Sequence, residues 1–307
     1  FLPVLNNGFV YDDILIFHSE LPHFSTLAQS WIHPQVLTYM TSAYYRPLIY
    51  FIFQITRSLS GYEPWGYHLV LLCLHSLTAL LIYFTSYEFL KERKHAVLGA
   101  ATSAIFFAVH PIHVEVVSWA SATVEASMSF FFILSLYLFI LFRQNAQKRY
   151  YFFSALSFLC ALFSKETAAM LIILLPLYDY FFIKTSLSKK HNKRHYLLYT
   201  ICFALYYALR HLNLPSNPLS SINVGFGEGS LRLISAMGYY LQNSIWPITV
   251  NPYIASVQTT SKALIGSLIF ISIFSFLTLY TFKKFKATAK KKANLKKLNQ
   301  FLLRKKK

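Results

Sequence analysis

Two adjacent carboxylates near the beginning of the sequence have the chemistry of a general base. Asp12 and Asp13 follow the opening FLPVLNNGFVY. Adjacent carboxylates repel each other unless a cation or a metal ion binds them, and a carboxylate within hydrogen-bond reach can take a proton from a hydroxyl. The pair therefore predicts a general base or a metal ligand, with a divalent cation on Asp13 as one option. The alternative is a helix cap or the start of a solvated loop.

A second group of polar residues, in the stretch HPIHVE, closes the short apolar run 96–110. His110, His113 and Glu115 can bind a metal ion or hydrogen-bond a sugar, although a metal site needs three or four ligands. Interfacial polar residues after a proline-terminated helix are the alternative. Glu125 opens the next apolar run. An ionisable residue within a span indicates function by default, and simple exposure at the helix end is the alternative.

Three cations near apolar segments are candidates for binding a phosphate. Lys165 and Glu166 interrupt two apolar runs in the motif SKE, and Arg46 and Arg210 border others. A lysine at that depth is costly unless it snorkels to the interface or meets an anion, and the planar guanidinium of arginine suits phosphate. The cations therefore predict binding of a lipid phosphate. The alternatives are a hairpin tip with a local lysine–glutamate pair, and arginines that snorkel.

The elements that must position these residues are membrane helices. The chain is 55% hydrophobic and 13% charged, whereas a soluble domain carries about 25% charged residues. A spanning helix needs about 20 mostly apolar residues. The predicted spans are 66–90, 122–142, 167–183, 196–213 and 261–282, with shorter candidates at 96–110, 150–164 and 231–250. The fold class predicted is therefore an all-α, polytopic transmembrane bundle.

Two regions complete the predicted organisation. The membrane domain covers 1–282, with an outer loop of short interfacial helices at about 11–65, and a basic tail covers 283–307. The opening FLPVL is interpreted as the end of a first helix whose beginning is missing. The tail alternates lysines with leucine and phenylalanine, which predicts a helix lying on anionic lipid. The net charge of +18 could suggest nucleic acid, but binding of nucleic acid by the tail is the weaker alternative because the tail adjoins a span, and no nucleic-acid partner is predicted.

Basic residues predict the orientation. Most of the 29 lysines and arginines fall in four segments, 91–95, 143–149, 184–194 and the tail. These segments should be cytoplasmic, because positively charged loops stay inside. The candidate site residues then fall on the outer face. A full crossing by 231–250 would put the tail outside, so that segment is interpreted as re-entrant or interfacial, with a missed span elsewhere as the alternative.

Six short motifs occur in an order that resembles a known family. They are NGFVYDD, YYRPL, GYHLVLLCLH, FFAVHPIHVEVVSWAS, LFSKET and WPITVNPY. The set, from about Asn6 to Tyr253, is similar to the membrane domain of the transmembrane and tetratricopeptide-repeat O-mannosyltransferases and their bacterial relatives, which are GT-C glycosyltransferases. Two departures are an arginine missing near Glu125, in SATVEAS, and the lysines that follow the last predicted span where the family has repeats.

The resemblance implies an inverting transfer of one sugar, with mannose as one option, from a polyisoprenyl-phosphate donor to a hydroxyl on a protein or glycan acceptor. It places the catalytic acidic pair on Asp12 and Asp13, and the Ser-Lys motif on Ser164 and Lys165. Asp12 is the predicted base, and Asp13 orients it or binds a cation. Lys165, Arg46 and Arg210 are predicted to hold the donor phosphate.

The family also has positions that match the other polar candidates. These are expected to bind substrate or support the site, and they are His110, His113, Glu115 and Glu125, with Glu166 beside the Ser-Lys motif. The competing functions are a transporter or flippase of lipid-linked glycans and a non-catalytic scaffold. The cysteine usage and the lack of repeats favour a bacterial inner (plasma) membrane.

Overall fold

The computed structural model describes residues 1–18, 44–183, 190–213, 226–245, 247, 264–276 and 279–280, without the side chains of 183, 190–194 and 226. Two compact units, Phe1–Ser220 and Ser221–Lys307, divide the chain. Every regular element in the described ranges is helical. The predicted all-α class is therefore confirmed. The predicted tail lies outside the described residues.

The first unit contains nine α-helices in the part of the chain that is described. They are α1 (Asp12–His18), α2 (Pro47–Ser60), α3 (Pro64–Leu90), α4 (Ala96–Val109), α5 (Val114–Ser118), α6 (Thr123–Asn145), α7 (Lys148–Ser164), α8 (Leu171–Tyr178) and α9 (Lys190–Asn213). Short 3₁₀ segments occur at Leu2–Asn6, Pro111–His113, Ala120–Ala122 and Glu166–Met170. The described part of the outer loop thus holds two short helices, α1 and α2.

Among the described residues of this unit, two helical stretches are long and apolar enough to cross a membrane. They are Pro64–Leu90, which is α3, and Ala120–Asn145, which contains α6. At about 1.5 Å per residue each exceeds the roughly 30 Å of a hydrocarbon core. A third candidate joins α4 to Pro111–Ser118 through a bend of 47°. Exposed apolar side chains line these helices, for example Leu80, Phe84 and Ile105. The chain is therefore an integral membrane protein.

The predicted span 167–183 is helical but is not one regular α-helix, and its crossing of the membrane stays a prediction. The segment is divided among the 3₁₀ turn Glu166–Met170, the eight-residue α8, and a π-helical turn at Asp179–Ile183. Pro176 lies inside α8, where it cannot donate a backbone hydrogen bond and crowds the preceding turn. The span predicted at 196–213 lies within α9, which begins earlier, at Lys190.

Small polar side chains join three helices in the middle of the bundle. The Ser135 hydroxyl of α6 donates to the Ser154 carbonyl of α7 (2.7 Å), and the Ser154 hydroxyl donates to the Ser135 carbonyl (2.6 Å). The Tyr199 hydroxyl of α9 donates to Ser154 Oγ at 2.6 Å. Small and hydroxyl residues allow close approach and supply interhelical hydrogen bonds where lipid offers no hydrophobic drive for association.

Side-chain contacts also give the directions of the helices. Lys91 Nζ donates to Gln144 Oε1 at 2.5 Å, so α3 and α6 end at the same end of the unit, which we call the lower end. The loops 91–95 and 143–149 meet there. The opposite end, which we call the upper end, holds the beginnings of α3 and α6. Because α7 runs back against α6, it finishes at the upper end.

Aromatic packing fixes α1 and α2 against the beginning of α3. Phe17, Ile49, Phe53 and Tyr67 are buried in one cluster, with the Phe17 and Tyr67 ring centroids 4.3 Å apart. The turn between α2 and α3 contains Gly61 at φ 62°, a conformation that favours glycine. The chain before α2 and the chain before α6 are thereby held at the upper end.

The second unit is described over two helices. They are α10 (Phe226–Ile245) and α11 (Leu264–Phe276). Ser267 Oγ donates to the Ser235 carbonyl at 3.5 Å, so the two helices touch. The span predicted at 261–282 is described mainly as α11, which falls among the shorter apolar helices. The segment 231–250 was predicted to be re-entrant or interfacial. Its last part, after Ile245, lies outside the described residues except for residue 247.

Candidate active site

Asp13 is a fully buried anchor between the first helix and the turn before α6. Its carboxylate accepts hydrogen bonds from the backbone N–H groups of Ser121 (2.7 Å), Ala120 (3.3 Å) and Val10 (3.2 Å), and from the Ser121 hydroxyl. Hydrogen bonds to an ionised acceptor are roughly twice as strong as neutral ones. The carboxylate therefore ties α1 to the 3₁₀ segment Ala120–Ala122.

Asp12 has the opposite environment. It is exposed in the first turn of α1, while its neighbour is buried. A proton acceptor must be reachable by its substrate, and Asp12 meets that condition where Asp13 does not. The geometry favours Asp12 as the base and Asp13 as the residue that positions it. These roles stay predictions.

Lys165 and Glu125 form an ion pair across the upper end. The backbone leaves the helical conformation at Lys165, directly after α7. The Lys165 ammonium lies 2.5 Å from Glu125 Oε1, in the first turn of α6. The two side chains are 25% and 37% exposed, so the pair is neither fully buried nor freely solvated. A local pair between Lys165 and Glu166, the alternative considered from sequence, does not form.

Glu166 instead pairs with Arg46. The guanidinium Nη2 lies 3.0 and 3.2 Å from the two carboxylate oxygens, and Nε lies 3.4 Å from one of them. Arg46 Cζ is also 4.2 Å from the centroid of the Tyr44 ring, a cation–π arrangement. Burial raises the pKa of Glu166, but the hydrogen bonds and charge of Arg46, with a contribution from Arg210, hold it below its usual value.

Arg210, near the end of α9, belongs to the same group. Its charge acts on both Glu166 and Tyr206, and Tyr206 packs against Tyr45 with ring centroids 6.1 Å apart. The structure thus brings five predicted residues together at the upper end, although they come from four separate parts of the sequence. They are Arg46, Glu125, Lys165, Glu166 and Arg210.

The histidines of HPIHVE lie at the bend that follows α4. His113 is 5.5 Å from His75 and 6.1 Å from His110, between ring centroids, and packs on Phe107 at 4.3 Å. His75 Nε2 is 3.0 Å from the Ala108 carbonyl oxygen. His75, on α3, was not singled out from sequence; a histidine inside the apolar motif GYHLVLLCLH was the available signal.

Metal ligation finds no support in this arrangement. Nowhere in the described ranges do three or more His, Cys, Asp or Glu side chains gather as ligands for an ion. Asp13, the predicted ligand, already accepts from four donors. Glu115 lies close enough to Glu125 for their charges to interact, without a third ligand. No mechanistic step is therefore assigned to a divalent cation.

Sequence reasoning also missed Ser121, a serine with no local sign of its role, and a second ion pair. That pair joins Arg143 Nε to the fully buried Asp179 Oδ1 at 2.8 Å, and the Tyr196 hydroxyl donates to Asp179 Oδ2 at 2.6 Å. Arg143 adjoins Gln144, so this pair belongs to the lower end. The structure thus separates Asp179 from the candidate site residues of the upper end.

The structure is thus a helical membrane bundle with carboxylates and cations gathered at one end. Residues 37–212 match the model of the family described as dolichyl-phosphate-mannose-protein mannosyltransferase. The match covers more than half of the 307 residues, so the chain belongs to this family. It includes every candidate site residue except Asp12 and Asp13.

Individual relatives agree with the family. The protein O-mannosyl-transferase Tmtc1 of Drosophila melanogaster is 28% identical over 189 residues, which are 58% of this chain and 21% of that protein. TMTC2 of Mus musculus is 35% identical over 101 residues, 31% of this chain and 11% of its own length. TMTC4 of Homo sapiens is 28% identical over 146 residues, 42% and 20% respectively.

The chain spans about a fifth or less of the length of these relatives. No solved structure matches it. The resemblance to the transmembrane and tetratricopeptide-repeat O-mannosyltransferases is confirmed at the level of the family.

Proposed function

We propose that this chain is the membrane domain of an inverting glycosyltransferase. It moves a sugar, mannose by analogy with its relatives, from a polyisoprenyl-phosphate donor to a hydroxyl of a protein or glycan acceptor on the outer face. The observation that carries the proposal is the upper end itself. The exposed carboxylate of Asp12, next to the buried Asp13, lies at this end. The same end holds three cations from separate parts of the chain, Arg46, Lys165 and Arg210.

In the proposed reaction Asp12 removes the acceptor proton. The acceptor oxygen forms a bond to the anomeric carbon while the bond from that carbon to the phosphate oxygen breaks, and the electron pair leaves with the lipid phosphate. Attack opposite the leaving group inverts the anomeric centre. Asp13 takes no part in the proton transfer in this scheme, since it is buried and its four hydrogen bonds fix the start of α1.

The cations act on the leaving group. The departing lipid phosphate gains negative charge, and preorganised donors aimed at developing charge are the largest single source of many rate enhancements. Lys165 binds the phosphate, and Arg46 and Arg210 supply further positive charge. Arg46 pairs with Glu166 through three contacts, so Glu166 serves to orient Arg46.

The proposal extends to organisation and location. Residues 1–282 form the membrane domain and 283–307 a cytoplasmic tail on anionic lipid, in a bacterial inner membrane. The meeting of loops 91–95 and 143–149 at the lower end supports a cytoplasmic lower end, because both are basic.

A flippase of lipid-linked glycans is the second candidate. The buried polar contact among Ser135, Ser154 and Tyr199 lies mid-bundle, where a transporter would bind its substrate. These hydroxyls are hydrogen-bonded to one another and to backbone, which favours a packing role for them and leaves the enzyme as the better proposal.

The test uses Asp12→Asn in the purified full chain, reconstituted in lipid nanodiscs with a polyprenyl-phosphate mannose. The amide keeps the size of the side chain but cannot take a proton. Loss of a positioned base costs about 10²–10⁴-fold in rate, so mannose transfer, or release of lipid phosphate, should fall by that amount while donor binding is retained.

Asp13→Asn should lower the melting temperature as well as the rate, because it weakens the anchor to Ser121. Full activity in Asp12→Asn together with a dead but stable Asp13→Asn would exchange their roles. If both variants transfer sugar at the wild-type rate, the enzyme proposal is wrong at this site. Donor that crosses sealed vesicles without cleavage would favour the flippase.

A further inference from the structure

Two ion pairs described at the upper end set a glutamate of the chain against a cation expected to hold phosphate. Lys165 meets Glu125, and Arg46 meets Glu166. A carboxylate and a phosphate oxygen are both anionic acceptors for an ammonium group, and the two anions repel each other when both lie beside the same lysine. The donor therefore has to compete with an anion that the chain supplies.

We propose that Glu125 is an exchangeable counter-ion for Lys165. Its carboxylate neutralises the lysine while the site is empty, the donor phosphate displaces it, and the carboxylate returns as the lipid phosphate leaves. This inference rests on the proposed function and adds a residue that sets donor affinity and product release. It gives Glu125 a role different from substrate binding or support.

The geometry distinguishes Glu125 from Glu166. Glu125 holds Lys165 through one contact and is 37% exposed, so water can hydrate its carboxylate once the lysine is withdrawn. Glu166 is 28% exposed and holds Arg46 through three contacts, on an arginine that also lies over the Tyr44 ring. Planar paired contacts of this kind fix an arginine in place. Glu125 is the partner that can leave.

The charge near Glu125 acts in the same direction. Glu115 lies close enough for its carboxylate to interact with that of Glu125, and like charges repel. The local repulsion weakens the hold of Glu125 on Lys165 relative to an isolated pair.

The binding energy seen for the donor is then a difference between two contacts of Lys165. A partly exposed ion pair is worth about 1 kcal/mol or less, which corresponds to roughly five-fold in affinity. Glu125→Gln should therefore bind polyprenyl phosphate, the leaving lipid, up to about five-fold more tightly than the wild type. Release of the same lipid after transfer should be slowed by a similar factor.

The matched control is Glu88→Gln. Glu88 also makes one contact with a lysine, Lys91, at 2.6 Å, but at the lower end of the unit. Both variants remove one negative charge from a glutamate–lysine pair, so tighter binding in both would be a non-specific charge effect and would overturn the proposal. Tighter binding in Glu125→Gln alone is the expected result.

Two further variants keep the test decisive. Glu125→Asp retains the charge but is one methylene too short to hold Lys165 as the glutamate does, so it should also tighten binding even if the glutamine variant fails to fold. In a Lys165→Ala background, Glu125→Gln should bring no gain. A gain that persists without Lys165, or weaker binding in both Glu125 variants, would show that Glu125 is structural.

The experiment separates this proposal from the one on which it rests. Polyprenyl phosphate is titrated onto the purified full chain in nanodiscs, with melting temperature as a check on folding. If the wild type and every variant fail to bind the lipid, the proposed function fails and the exchange with it. If the wild type binds and both Glu125 variants bind equally well or worse, only the exchange fails.

Discussion

At the scale of single residues, the most informative contrast is between two neighbours with different surroundings. Asp12 is exposed and Asp13 is fully buried among four hydrogen-bond donors. Sequence alone does not separate them, because the separation depends on Ser121, 108 positions away. A pair of adjacent acids can thus divide two tasks, with one residue free to react and the other holding the backbone.

Lys165 allows a second test at this scale. Lys165→Ala should weaken binding of the lipid-phosphate donor by roughly ten-fold or more, the value of a hydrogen bond to a charged group, and should affect acceptor binding less. Lys165→Arg should restore part of the affinity. Isothermal titration with donor and with acceptor measures the two effects.

Lys148→Ala is the matched control for that experiment. Lys148 begins the same helix, α7, that Lys165 follows, but it lies at the lower end and is exposed. It should bind donor as the wild type does. Unchanged donor affinity in Lys165→Ala would return this lysine to a purely structural role at the end of α7.

At the scale of elements, the anchor between α1 and the turn before α6 decides where the first loop sits. Ser121→Ala removes the hydroxyl that donates to Asp13 and leaves the backbone donors in place. A hydrogen bond to a charged group contributes about 1.5–3 kcal/mol, so thermal unfolding should occur at a lower temperature, and sugar transfer should slow as Asp12 loses its position.

Ser118→Ala serves as the comparison. The Ser118 hydroxyl bonds only to the Val114 carbonyl within its own short helix among the contacts described, at 2.6 Å and exposed to solvent. Its loss should change stability little. Equal melting temperatures for the two variants would mean that the Ser121 hydroxyl adds nothing to the anchor.

The elements also show which parts of the fold can be predicted from the sequence and which cannot. Long apolar runs predict α3 and α6, because nothing inside them breaks a helix. The run 167–183 is equally apolar at its centre, yet a π-helical turn begins at the buried Asp179, directly after α8. The partners of Asp179, Arg143 and Tyr196, come from other helices and could not be assigned from the sequence.

The candidate site, too, could be predicted from the sequence only in part. Residue types and motif order selected the cations and carboxylates of the upper end, which the structure brings together. Their pairing was not predictable, since Glu125 and Lys165 lie 40 positions apart and Arg46 and Glu166 lie 120 apart. Side-chain pairing depends on how α6 and α7 pack, which local patterns do not specify.

At the scale of the whole molecule, orientation is the property that the proposed function most requires. Single cysteines can report it after Cys73, Cys160 and Cys202 are replaced. A cysteine at Glu63, exposed at the upper end, should react with a membrane-impermeant reagent in intact cells. One at Glu92, in the basic loop 91–95, should react only after permeabilisation, because basic loops remain inside.

The same labelling covers the tail. A cysteine at Lys291 should behave like the one at Glu92 and stay protected in sealed cells. Labelling of the tail and the loop 91–95 from outside would mean that the orientation is the reverse of the one proposed. The candidate site would then not lie on the outer face.

The bend after α4 has a consequence for the surrounding lipid. α4 has 14 residues, about 21 Å at 1.5 Å per residue, and the chain then turns by 47°. Hydrocarbon about 30 Å thick meets a straight segment that is too short for it, and a bilayer relieves such hydrophobic mismatch by thinning locally. We expect the membrane to be thinnest beside α4, where a long-chain lipid would have the shortest distance to raise its headgroup.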